Sequence, residues 1–132
     1  MKETEQILAE VHKKRLEETR LYDNFEKYYR KREFAKASEF LWGSISKLAY
    51  AIGLFYGKKL GKHGEIISLM KDLAKAESEI MDWVSAAESL HSNFYHNWME
   101  EGTFEHYVRK GVDLRMWLIR MLDDHVEKMG HL

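Results

Sequence analysis

Residues 89–98 read SLHSNFYHNW. Histidine gives and takes a proton near neutrality, and asparagine and tyrosine orient a substrate through hydrogen bonds. His91, His96, Asn93 and Tyr95 are therefore the candidate catalytic residues of this chain. The two histidines stand five positions apart, about 140° around a helix of 3.6 residues per turn, so one straight helix cannot bring both to one metal ion. Acid and base roles shared between them need a dimer that places His91 of one chain beside His96 of the other. His91 falls on the apolar stripe with Leu90, Phe94 and Trp98, which predicts a half-buried, hydrogen-bonded ring. His96 faces away, in the last turn, where it complements the negative end of the helix dipole and is open to a ligand or a second subunit.

Other chemistry is thinner. Glu88 and His91 have the Glu-x-x-His spacing of di-iron carboxylate bundles, but no other histidine has an acidic residue three positions before it, so no metal ligand set is expected. The loop GKKLGKHG lacks the spacing of a nucleotide phosphate loop and follows a helical stretch rather than a strand. Its Lys58, Lys59, Lys62 and His63 do precede a predicted helix start, whose free amides attract anions, so these four are the candidate anion-binding residues. With no cysteine, thiolate catalysis and disulfide bonding are absent; no cofactor is expected.

The elements that must carry these residues are helices. Proline is absent and only eight glycines occur, so chain-breakers are few, and no apolar run approaches the roughly 20 residues of a membrane span. At 132 residues and 45% hydrophobic content the chain makes one domain with a real core, read as a cytoplasmic protein that stays off the membrane. Periodicity predicts five helices, at about 2–31, 33–56, 65–76, 77–99 and, with Thr103 as N-cap, 103 onward. Lys14, Arg15 and Glu18 interrupt the apolar face of the first, so residues 1–18 are expected to overhang as a helical extension, with the bundle domain at 19–132. The fifth carries a second apolar set, Val112, Met116, Trp117 and Ile119, beyond its core stripe, and a homodimer contact through the second or fifth helix explains the excess. Net charge is only −1, but residues 34–64 sum to +4 and 65–102 to −6.

REFAKASEFLWGSISKLAYAIGL, a Gly- and His-containing loop, and WVSAAESLHSNFYHNW resemble the archaeal PaREP proteins of the wider HEPN-like superfamily. The resemblance rests on Ala37-Ser38-Glu39, on Trp83, Ala86 or Ala87, Leu90 and His91, and on Phe94-Tyr95, and spans roughly residues 19–128. It implies an all-α, HEPN-like up-and-down bundle of about five helices, usually dimeric, in an archaeal cytoplasm. For the superfamily it implies contact with nucleotide or RNA, active members being metal-independent ribonucleases with an Arg and, four to six positions on, a His. Here that spacing is filled by His91 and His96, and the Arg is missing. An imidazole supplies neither a permanent charge nor a bidentate phosphate clamp. The expected function is therefore a non-catalytic homodimeric binding or regulatory module that engages a nucleotide, RNA or a nucleotidyltransferase-type partner. A ribonuclease with a degenerate His-x4-His motif and a purely structural oligomer are the alternatives.

Overall fold

A computed structural model describes residues 2–130, and every regular element among them is a helix. The order is α1 (Lys2–Arg30), α2 (Phe34–Phe55), α3 (His63–Ala74), α4 (Ser78–His96) and α5 (Glu101–Gly130). No helix among the described residues is long and apolar enough to cross a membrane.

α2 is the axle of the bundle because it is apolar nearly all round: Leu41, Ile45, Leu48 and Ile52 are fully buried along one side, and Trp42, Ala49 and Leu54 are buried on others. α1 runs antiparallel to it, matching Leu21 to Gly43, Lys14 to Tyr50 and Tyr28 to Phe40. α5 runs parallel to α2, with Phe34 stacked on Phe104 and Phe55 on His125. α4 returns antiparallel to both, so the four long helices alternate in direction, and short α3 packs across α2 and α4. The tightest crossing is at Gly111, where an added Cβ would stand 3.1 Å from side-chain carbons of both Leu41 and Leu90.

Three expectations are corrected. The stretch from Ile7 to Glu18 does not overhang: Ile7 packs against the core, Val11 and Glu18 are buried, and Arg15 reaches Asp123 of α5. Glu18 breaks the apolar face of α1 but is not thereby expelled, because Arg115 Nε and Nη2 donate to its carboxylate at 2.5 and 3.3 Å and Ser44 Oγ donates to it as well. The Arg115 guanidinium in turn lies 3.6 Å from the centroid of the Tyr22 ring, so the buried pair is capped by an aromatic face. Thr103 is not an N-cap, since α5 starts at Glu101 and the Phe104 N–H already donates to the Glu100 carbonyl at 2.8 Å. Trp98 is not in the core: α4 ends at His96, Asn97 turns the chain at φ 44°, and Trp98 emerges 48% exposed.

Candidate functional site

The middle of α4 brings its polar residues into three different environments. Asn93 is fully buried, with both amide atoms bonded inside the fold: Nδ2 donates to Ser38 Oγ at 3.0 Å and Oδ1 accepts the Met99 N–H at 2.9 Å. It clasps α2 to the chain leaving α4. His96 is exposed at the helix end, where the Asn97 N–H closes the last turn on the Asn93 carbonyl.

His91 turns the other way, toward α2 and α3. Its ring stacks on that of His63 with centroids 4.6 Å apart and planes 19° apart, and Trp42 lies against both, at 4.9 Å from His63 and 5.0 Å from His91. Tyr95, 66% exposed, closes the outer side by meeting His91 edge-on at 5.2 Å. Burial, and then the neighbouring His63, pull the His91 pKa below the usual imidazole value, against the opposing pull of Glu88. His91 is thus half-buried as the periodicity predicts, but stacking on rings takes the place of the expected hydrogen bond. His63 Nε2 lies 3.7 Å from a Glu88 carboxylate oxygen, while His63 Nδ1 is buried with no hydrogen-bond partner.

Near-parallel rings keep their nitrogen lone pairs in near-parallel planes, which cannot meet at one ion. Among the described residues no group of three or more His, Asp or Glu side chains is placed to hold a metal. The chemistry open to this cluster is packing and proton uptake rather than ligation.

The four candidate anion-binding residues do not form one site. His63 belongs to the histidine stack. The amides of Gly61 and Lys62 donate to the Glu65 carboxylate at 3.1 and 2.9 Å, so the start of α3 carries its own anion, and these bonds hold the Glu65 carboxyl below its ordinary pKa. Lys59 shares a groove with Glu3 and Glu10, and Lys58 lies between that groove and one lined by Glu65 and Asp72.

The sequence pattern of the archaeal PaREP1/PaREP8 family matches residues 13–115. The chain belongs to that family. No curated protein and no solved structure matches it. In this PaREP1/PaREP8 chain the matched span holds both members of the Glu18–Arg115 pair and the whole histidine stack, whereas residues 2–12 and 116–130 lie outside it. Two features of the PaREP1/PaREP8 bundle escape a reading by sequence alone. One is His63 as the partner of His91, which lies across a glycine-rich loop and out of helical register. The other is the run KYYRKREFAK at residues 27–36, whose five cations are split when charge is summed over long segments that divide at residue 34.

Proposed function

We propose that this chain is a non-catalytic, homodimeric, HEPN-like binding module of the cytoplasm. One observation carries the non-catalytic part: His91 is stacked inward on His63 and Trp42 while His96 stands exposed, so a single chain does not aim both at one scissile bond. The Arg that active HEPN-like proteins place before the His is missing, and Asn93 is fully buried with both amide atoms bonded inside the fold.

The dimer reading rests on the seam between α1 and α5. Leu16 is 57% and Met116 40% exposed, Val112 and Ile119 are half-covered beside Met116, and a groove of about 430 Å³ runs along Leu8, Val11, Leu16 and Val126. A second copy of this seam is the occupant that fits, since a two-fold axis makes an apolar strip self-complementary.

Incubation with mixed RNA tests the first part. No cleavage above a blank is expected; cleavage that disappears in His96→Ala would overturn the reading in favour of the nuclease. Light scattering tests the second: the wild type is expected at twice the chain mass, and Leu16→Glu with Met116→Glu at one chain mass. A monomeric wild type rejects the dimer.

A further inference from the structure

The corner at which α1 hands over to α2 is the run Lys27–Lys36, with five cations against the single carboxylate of Glu33. The chain turns there through Arg32 at φ 61°, held by Arg32 N–H donating to the Tyr29 carbonyl and Glu33 N–H to the Tyr28 carbonyl, each at 3.0 Å. Glycine or asparagine adopts this left-handed conformation at less cost than arginine does, so a cation is kept at the turn against backbone preference. Its guanidinium lies 5.8 Å from the Phe34 ring centroid and pairs with Glu101 at the start of α5, which fixes the corner to the bundle.

Three ammonium groups converge on one ring. Lys27, Lys31 and Lys36 lie 5.5, 5.6 and 5.3 Å from the centroid of Tyr28, which is itself stacked on Phe40. No two of them can be more than about 11 Å apart, close to the Debye length of about 10 Å at 0.1 M salt, so their repulsion is only partly screened. Carboxylates relieve little of it: Lys36 has Glu33 at 3.7 Å, and neither Lys27 nor Lys31 has a carboxylate within 4 Å among the described residues. Several cations elsewhere are answered, Lys47 by Glu17, Arg15 by Asp123, Lys110 by Asp82 and Arg115 by Glu18.

The same end of the bundle presents the exposed rings. The ends of α2 and α4 are joined there by Ser38 and Asn93, Arg32 reaches Glu101, and Trp98, three positions before Glu101, is 48% exposed with Tyr95 close by in sequence at 66%. Trp98 meets Tyr107 at 6.3 Å and 70°, and cations for phosphates beside such exposed rings for bases are the two parts of a single-strand platform. A lipid surface fits less well, because Phe34 and Phe40 at the corner are turned into ring stacks and offer little apolar surface to insert.

We propose that this end of the bundle binds single-stranded nucleic acid, with Lys27, Lys31 and Lys36 on consecutive phosphates and Trp98 stacked on a base. The site rests on the binding-module reading for its general role but not on the dimer, whose seam lies along the side of the bundle.

Fluorescence anisotropy of a dye-labelled 12-nucleotide single-stranded RNA, titrated with the whole chain over a salt series, tests it. Three phosphate contacts give a slope of log K against log salt of about −2. Lys27→Glu, Lys31→Glu and Lys36→Glu together should abolish binding. Reversal of Lys2, Lys13 and Lys71, the matched change in net charge, should leave affinity within a few-fold. Trp98→Ala should weaken binding roughly ten- to a hundredfold with the slope unchanged. Circular dichroism and light scattering on each variant separate loss of binding from loss of fold or of the dimer. The proposal is overturned by no binding at low salt, by equal loss in both triple variants, or by an unaffected Trp98→Ala variant. Binding of inorganic polyphosphate or of phosphatidylserine vesicles as tight as that of RNA also overturns it.

Discussion

At the scale of single residues, two buried polar groups decide how this bundle responds to its surroundings. His91 has a folded pKa below its unfolded value of about 6.5, because burial and His63 both disfavour its charge. The unfolded chain therefore takes the proton first as the solution is acidified. This contribution to stability is full above about pH 6.5 and is lost as pH falls from there to the folded pKa. Urea titrations between pH 8 and 5 are expected to show stability declining toward acid, and His91→Phe should flatten part of that decline. The remaining slope belongs in part to His125, whose pKa burial also lowers. An unchanged slope in His91→Phe would place the titration elsewhere. Glu18 has the opposite vulnerability: it is 2% exposed, and its carboxylate is answered mainly by Arg115 and Ser44. Glu18→Ala strands a largely buried guanidinium and should cost about 3–5 kcal/mol in urea unfolding, while Glu18→Leu with Arg115→Met should recover most of it. Equal loss in the single and double variants would show that the pair itself is the net stabiliser.

At the scale of elements, the number of helices and most of their limits follow from apolar periodicity with no proline to interrupt it. The departures have local causes. A stripe drawn through Leu90, Phe94 and Trp98 assumes that α4 continues, but the left-handed Asn97 stops it one residue earlier, and the ring that periodicity sends inward comes out. The Asn93 clasp then sets where the chain goes, which no repeat of apolar residues encodes. Asn93→Ala leaves the Met99 N–H and the Ser38 hydroxyl without this partner, in a fully buried setting. It should destabilise by about 1–3 kcal/mol, read by thermal unfolding, with Trp98 emission shifting as the connection to α5 loosens. Gly111 tests the packing of α5 in the same way. Gly111→Leu forces side-chain volume between Leu41 and Leu90 and should cost at least about 1–3 kcal/mol despite the better helix propensity of leucine. A stability equal to wild type would mean that α5 stands further from α2 than described.

At the scale of the whole molecule, the sequence supports an all-α bundle but misplaces its edge. Charged residues at 14, 15 and 18 read locally as solvent-facing, yet Glu18 finds Arg115 at a separation of 97 residues, a pairing that no window along the chain reveals. The candidate site suffers from the same blindness. His91 and His96 are five positions apart in sequence and part in space, whereas His63 and His91 are distant and stack. Removing residues 1–18 should therefore not yield a trimmed domain. It uncovers α2 along the side that carries Ser44, Ala51 and Leu54, and circular dichroism should show helix without a cooperative melt. A sharp transition in the truncated chain would restore the overhang.

The Glu18–Arg115 bridge also has a kinetic consequence. α1 and α2 are joined by a tight corner and make their contacts early, at small cost in loop closure, whereas α5 must return over most of the chain before its guanidinium meets Glu18. A contact of such long span is expected to form after the transition state, so weakening it should speed unfolding and leave the refolding rate nearly unchanged. The bridge thus acts as a latch on the lifetime of the folded bundle more than as a guide to reaching it, and stopped-flow chevrons of Glu18→Gln should show the change in the unfolding arm alone.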